Sequence, residues 1–126
     1  MKFFETLFCK LMGLPTIPEG DYVATLFDVD IKRIKRKRMS LITFKFKLID
    51  VDTGARYIYS QTIIDDVGII CNSNLDWIFK IFLMNCGDYY DLVDMVVDAS
   101  IEHKVIDGKK TALLYCNDIV SFPPEL

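Results

Sequence analysis

The sequence has no long hydrophobic run and few of the residues that build metal centres or nucleophilic sites. Its longest apolar stretch, Trp77–Met84, is interrupted by Lys80 and is far shorter than the roughly 20 residues of a membrane-spanning helix. His103 is the only histidine, and the four cysteines form no CxxC pair. No membrane association, zinc site or histidine-dependent nucleophile is therefore expected.

Other absences narrow the expectations further. The six glycines are dispersed, so no phosphate-cradling loop is present. Asp91, Asp94 and Asp98 follow helical spacing, which predicts a solvated face rather than metal ligands. The sequence predicts no enzymatic activity, no cofactor and no metal.

The start of the chain does not resemble a signal peptide. The segment MKFFETLFCKLMG is interrupted by Glu5 and Lys10 and is followed by no small-residue cleavage site. The cysteines, which lie among apolar residues or at predicted element ends, are expected to be free thiols in a reducing cytoplasm: Cys9, Cys71, Cys86 and Cys116.

Charge is distributed unevenly along the 126 residues. Residues 1–60 carry 11 Lys and Arg against 7 Asp and Glu, whereas residues 61–126 carry 4 against 11. The formal net charge is −3. We therefore expect a local basic surface on an acidic molecule.

The stretch Ile31–Asp50 concentrates this basic charge. Six of the seven residues of the tract Lys32–Arg38 are Lys or Arg. In the following segment, Ile42, Phe44, Phe46 and Leu48 alternate with Thr43, Lys45 and Lys47. This period of two predicts a strand with an apolar inner face, which places Phe44 and Phe46 in the core, and a cationic outer face.

Strand and turn signals predict a mostly β domain with a helical insertion. An amphipathic helix is expected over residues 3–12, and further helices over Asn74–Asn85 and Tyr89–Val97. Trp77 is expected to pack in the core or between helices rather than to stack on a base. Asp52-Thr53-Gly54 and Asp107-Gly108 predict turns. The five predicted strands are Asp21–Lys32, Leu41–Val51, Ala55–Ile63, Ala99–Ile106 and Thr111–Phe122.

Three strands, a helix and two more strands is the order of an OB-fold, a five-stranded barrel that commonly binds oligonucleotides. The predicted organisation is an N-terminal helix and linker over residues 1–16, followed by an OB-fold-like domain over residues 17–126. Many other α+β domains would give the same order.

Two segments resemble the phage-type single-stranded DNA-binding proteins of replication and recombination cassettes. They are IPEGDYVATLFDVDIK (Ile17–Lys32) and TFKFKLIDVDTGARYIYSQTI (Thr43–Ile63), joined by the basic tract with Met39. GDYYDLVDMVVDA (Gly87–Ala99) is similar to the aspartate–tyrosine helix of that family. The similarity covers about residues 17–120. Lys109-Lys110-Thr111 departs from the lysine–glycine–aromatic step often found there.

The resemblance implies an OB-fold that binds single-stranded DNA without strong sequence preference, in the cytoplasm of a bacterial host if a phage encodes it. Replication or recombination proteins would be further partners, and homo-oligomerisation stays open. The alternatives are a protein-interaction module of the same barrel type and an enzyme subunit that uses the acidic half.

The predicted DNA contacts combine phosphate-neutralising cations with aromatic rings that stack on bases. Tyr57 and Tyr59 are expected to point outward, because Ile58 between them is the better core residue. The full predicted set is Lys32, Arg33, Lys35, Arg36, Lys37, Arg38, Lys45, Lys47, Arg56, Tyr57 and Tyr59.

Overall fold

The computed structural model describes residues 16–34, 39–66, 69–70, 74–75, 77–78 and 89–122. They form a single antiparallel sheet with very little helix. Its strands are β1 (Gly20–Ile34), β2 (Met39–Asp50), β3 (Arg56–Asp66), the two-residue β4 (Ile69–Ile70), β5 (Val96–Ile106) and β6 (Lys109–Ser121). The five predicted long strands are confirmed, with ends that differ by a few residues.

The sheet has the order β4-β3-β2-β1-β5-β6 and is not closed into a ring of paired strands. The first three strands are consecutive antiparallel neighbours. After a long connection, β5 returns to pair with β1. Three strands in series with a fourth beside the first form a Greek key.

Both predicted turns are confirmed. The Asp50 carboxylate accepts hydrogen bonds from the backbone N–H groups of Asp52 (2.8 Å) and Thr53 (3.1 Å), and Gly54 has a positive φ of 73°. Asp107 and Gly108 have φ values of 50° and 77° between the paired residues Ile106 and Lys109. Positive φ at both central residues characterises a two-residue hairpin, so Lys109 and Lys110 belong to β6 rather than to the turn.

Of the three predicted helices, one lies outside the described residues, one is described only in part, and one is wrong. Residues 3–12, and most of Asn74–Asn85, lie outside the described residues, although Trp77 and Ile78 are helical. The prediction of a helix over Tyr89–Val97 is wrong, because only Tyr89–Leu92 form a single 3-10 turn. Asp94 then adopts a φ of 80°, and β5 begins with the β-branched residues Val96 and Val97.

The core lies on the inner face of the sheet. On β2 the residues at alternate positions are buried, which confirms the inward prediction for Phe44 and Phe46. Trp77 packs against this cluster with its ring centroid 6.4 Å from that of Phe46, as predicted. Other large buried side chains are Tyr22, Leu26, Leu75, Ile78, Leu92, Met95, Ile101 and Leu114.

A β-bulge reverses the alternation within β1. The register with β2 shifts between Leu26, which pairs with Phe46, and Asp28, which pairs with Lys45. Ala24 and Leu26 are buried before the shift and Val29 is buried after it. An unbroken period of two in the sequence predicts that one face of this strand carries Val23, Thr25, Phe27, Val29 and Ile31. That prediction is wrong, because the extra residue changes which positions face inward.

Side chains connect the strands β3 and β6, which share no backbone ladder in the described sheet. The Tyr59 hydroxyl accepts a hydrogen bond from the Leu114 N–H (3.3 Å) and donates one to the Gln61 Oε1. The Asn74 Nδ2 donates to the Leu114 carbonyl (2.7 Å) and to the Gln61 Oε1 (2.9 Å). These contacts bring β3 and β6 together, so the sheet is strongly curved around its core.

Candidate nucleic-acid interface

The outer surface of β2 and β3, beside β1, carries three of the predicted cations. Lys47 of β2 lies opposite Ile58 of β3, and Lys45 lies opposite Ser60. Arg56 lies opposite Ile49 in the same outward set. Between Leu41 and Ile49 of β2 and between Arg56 and Ile64 of β3, the outward positions include no acidic residue. We call this surface the β1–β3 outer face.

The bulge adds an aromatic ring to the β1–β3 outer face. Phe27 is the extra residue between Leu26 and Asp28, and it is only partly buried. The Lys47 Nζ lies 5.0 Å from the centroid of the Phe27 ring. This distance is within the range of a cation–π contact, and it puts an aromatic ring and a cation side by side.

The bulge also brings an acidic residue next to Lys45. Asp28 follows Phe27 and lies opposite Lys45, and the Lys45 Nζ is 3.8 Å from the Asp28 Oδ2. Both side chains are substantially exposed, at 43% for Lys45 and 50% for Asp28. An exposed ion pair of this kind contributes about 0–1 kcal/mol to stability, so it constrains Lys45 only weakly.

The predicted outward orientation of Tyr57 and Tyr59 is wrong. Tyr59 is 4% exposed and packs against Phe46 with ring centroids 6.3 Å apart. Tyr57 is half-buried and makes an edge-to-face contact with the buried Tyr22. Ile58, between them, is 58% exposed.

Hydrogen bonding explains why the tyrosines can face inward. The Tyr59 hydroxyl is bonded to Gln61, Asn74 and Leu114, so its polar atom is satisfied within the protein. Burial raises the pKa of Tyr59 despite these hydrogen bonds. A buried ring cannot stack on a base, and Phe27 is the aromatic residue that the β1–β3 outer face presents instead.

The basic tract is only partly described. Lys32 and Arg33 are exposed and belong to β1, where they pair with Leu41 and Ser40, so the strand continues past its predicted end at Lys32. Lys35, Arg36, Lys37 and Arg38 lie outside the described residues, between the paired residues Ile34 and Met39. At about 3.3 Å per residue, Lys45 is roughly 20 Å along β2 from this connection.

Apolar and hydroxyl groups complete the surface. Ile49 and Ile58 are exposed, and the hydroxyls of Thr43 and Thr62 are hydrogen bonded across the strands at 2.8 Å. A cavity of about 360 Å³ lies at one end of the β2–β3 hairpin. Its lining combines cationic, aromatic and aliphatic side chains: Lys47, Leu48, Ile49, Arg56, Tyr57 and Ile58.

A second lysine–aromatic pair lies on the β5–β6 hairpin. The Lys104 Nζ is 5.0 Å from the centroid of the Tyr115 ring. A hydrogen bond to Tyr115 raises the pKa of Lys104, which Glu102 raises further. Because Glu102 also lies 3.9 Å from the Lys104 ammonium, this pair is in a more acidic setting than Phe27 and Lys47.

Sequence reasoning missed Phe27 because it assumed an unbroken period of two. A signal was nevertheless present, since Ala24 and Leu26 share one parity whereas Val29 and Ile31 share the other. A change of phase between two apolar sets within one strand is typical of a bulge.

Chemistry based on metals finds no support in the part of the chain that is described, where no group of three or more His, Cys, Asp or Glu side chains could hold an ion. Cys116 is a free thiol there, as predicted, and burial raises its pKa. Within the same residues, no helix has the length and apolar character needed to cross a membrane.

No protein-family model matches the sequence, and neither curated proteins nor solved structures give a match.

Proposed function

We propose that this chain is an OB-fold-like protein that binds single-stranded DNA without strong sequence preference through the β1–β3 outer face. The observation that carries the proposal is the position of Phe27 beside Lys47, with Lys45 and Arg56 on the same face. Single-strand binding combines cations that neutralise phosphates with aromatic rings that stack on bases. The resemblance to phage-type single-stranded DNA-binding proteins points to the same function, in replication or recombination.

The arrangement of the strands supports the OB-fold part of this proposal. The OB-fold is a partly open Greek-key barrel whose oligonucleotide surface centres on its second and third strands. This chain has a curved Greek-key sheet, and its cations lie on β2 and β3. Side-chain hydrogen bonds between Tyr59, Asn74 and Leu114 take the place of a ladder between β3 and β6.

The chemistry of each side chain on the β1–β3 outer face determines its proposed role in binding. The Lys45, Lys47 and Arg56 side chains neutralise phosphates and release their counterions. Phe27 provides a ring for one base, and Ile58 and Ile49 offer apolar contact to neighbouring bases or sugars. The hydroxyls of Thr43 and Thr62 are bonded to each other, which makes them less available for hydrogen bonds to bases.

A fluorescence titration of the full chain with labelled oligo-dT at several salt concentrations tests the proposal. We expect the binding constant to fall with salt by about 0.7 logarithmic units per tenfold rise in salt for each phosphate contacted. Replacing Lys45, Lys47 and Arg56 together by Ala should make this slope shallower by about two units. Replacing Lys104, Lys109 and Lys110 by Ala, on the other hairpin, removes the same charge and is the matched control.

Exposed aliphatic side chains favour a second candidate. Ile58 and Ile49 are 58% and 42% exposed on the same face, and apolar side chains grouped in this way also occur at protein interfaces. A protein-interaction module would bind neither oligo-dT nor duplex at any salt concentration, and its partner binding would depend on Ile58 more than on Lys45. The same titration, extended to duplex and oligo-U, therefore separates the two functions.

A further inference from the structure

We infer that Asp28 is a built-in competitor for the DNA phosphate at Lys45, so that binding exchanges the carboxylate for a phosphate and Asp28 limits the affinity. This inference rests on the proposed function and concerns how the same face is regulated. It assigns a role to the acidic residue that lies directly opposite Lys45 on this surface.

Geometry gives the first support. The bulge inserts Phe27 as an extra residue, and Asp28 after it lies opposite Lys45. The Asp28 carboxylate is therefore directed to the same side of the sheet as the lysine, with 3.8 Å between Oδ2 and Nζ. Lys45 cannot meet a phosphate at close range without moving away from this carboxylate or sharing its ammonium with it.

Energetics make the exchange feasible. Asp28 and Lys45 are both about half exposed, and solvent screens such a pair strongly. Breaking it costs little, and a phosphate offers Lys45 an equivalent charge-assisted contact. After the exchange, the Asp28 carboxylate remains close to the bound phosphate, and this repulsion lowers the affinity.

The contact between Lys47 and Phe27 indicates that the competition is confined to Lys45. Lys47 contacts the uncharged Phe27 ring, so a phosphate can approach Lys47 without displacing an anion. Among the described side chains, a carboxylate therefore holds only Lys45 of the two β2 lysines, although the two residues are equivalent in the sequence pattern. We therefore expect Asp28 to weaken phosphate binding at Lys45 more than at Lys47.

A charge-matched pair of variants tests the inference. Asp28→Asn removes the competitor. Asp30→Asn removes the same charge from an exposed residue of the same strand, β1, that lies opposite Thr43 of β2. We expect Asp28→Asn to tighten oligo-dT binding at low salt by about two- to fivefold, and Asp30→Asn to have a clearly smaller effect. The difference should shrink as salt increases, because the competition is electrostatic.

A double-mutant cycle identifies Lys45 as the residue through which Asp28 acts. In a Lys45→Met background, which keeps an unbranched stem without the charge, Asp28→Asn should gain no more than Asp30→Asn. A merely structural role would produce the same gain in both backgrounds. Thermal midpoints measured on all variants verify that each remains folded.

The outcomes separate the inference from the function. If wild-type protein binds oligo-dT and the two Asp→Asn variants tighten binding equally, or Asp28→Asn does not tighten it, the competition at Lys45 is disproved and DNA binding stands. If the wild-type protein binds no oligo-dT even at low salt, the proposed function and this inference both fall.

Discussion

Asp98 of β5 lies directly opposite Asp118 of β6 in the antiparallel ladder, next to an irregularity between Asp98 and Ala99. Both residues are exposed. Like charges at directly opposed positions destabilise a sheet. The Asp118 carboxylate also accepts a hydrogen bond from the Ile119 N–H at 2.9 Å, so its local role does not require a charge.

Replacing Asp118 with Asn should therefore stabilise the protein. The amide removes the repulsion and keeps an oxygen for the Ile119 N–H, and we expect a gain of about 0.2–1 kcal/mol in the free energy of unfolding. Urea denaturation at low and high salt measures it, and the gain should be smaller at high salt. A loss of stability, or a gain independent of salt, would contradict this explanation.

Phe27 is expected to be the stacking residue of the β1–β3 outer face. Phe27→Ala should weaken oligo-dT binding by about five- to 150-fold, since stacking on one base is worth roughly 1–3 kcal/mol, and it should leave the salt slope unchanged. Phe27→Trp should retain binding. Tyr115→Ala, which removes the ring under Lys104, is the matched control and should bind like the parent. Equal effects of the two Ala variants would show that Phe27 has no special role.

The basic tract is expected to supply further phosphate contacts. Changing Lys35, Arg36, Lys37 and Arg38 to Ala should make the salt slope shallower by roughly two to three units, if three or four of them meet phosphates. Thermal stability should hardly change, because exposed charges contribute little to it. Salt-dependent titration measures the slope, and an unaltered slope would rule the tract out of the interface.

Tyr59 should matter for folding rather than for binding. Tyr59→Phe leaves the Leu114 N–H without the hydroxyl that accepts its hydrogen bond, and we expect a loss of about 1–3 kcal/mol in unfolding free energy. Tyr57→Phe, two residues away on the same face, makes the same chemical change at a half-buried ring and should cost less than about 0.5 kcal/mol. Equilibrium denaturation compares them, and similar losses would argue against the hydrogen-bonded link between β3 and β6.

Alkaline pH should destabilise the protein through Tyr22. Burial first, and then the nearby Tyr57 and Asp50 acting in the same direction, together raise the pKa of Tyr22 from its ordinary value of 10.0 to about 12. The folded state therefore keeps a proton that the unfolded state loses, so this contribution is complete below pH 10 and disappears between pH 10 and 12.

Denaturation midpoints measured from pH 9 to 12 test the Tyr22 prediction. Tyr22→Phe removes the titrating group, together with its 2.7 Å hydrogen bond to the Pro18 carbonyl, so this variant should be less stable at pH 9 but decline less steeply above pH 10. A residual decline is expected from Tyr59, whose pKa burial also raises. Parallel curves for the variant and the parent would refute the assignment.

The strands and their turns could be predicted from local sequence alone. Alternation identified the buried face of β2, including Phe44 and Phe46, because a strand exposes its successive side chains to opposite environments. Asp107-Gly108 identified its hairpin because few residues tolerate positive φ at both positions. The outward direction of Lys45 and Lys47 followed from the same alternation.

The face of β3 and the short helical turn before β5 could not be assigned in this way. Tyr57, Ile58 and Tyr59 are all compatible with either face. The tyrosines point inward because the Tyr59 hydroxyl finds hydrogen-bond partners there in Asn74 and Leu114. These partners are distant in sequence. The segment after Leu92 has helical spacing, but pairing of Val96 and Val97 with β1 overrides it.

The sequence by itself therefore determined which segments are strands, where the hairpins turn, and that the cations of β2 lie opposite its apolar face, because these properties depend on neighbouring residues. Only the tertiary structure decided that Phe27 and Asp28 face outward beside Lys47 and Lys45. The bulge arises where β1 leaves β5: Leu26 exchanges hydrogen bonds with Asp94 and Met95, and beyond it β1 pairs with β2 alone. That change of partner is a property of the assembled sheet: the change of phase between Leu26 and Val29 indicates a bulge, but the sequence does not show which strand β1 leaves there.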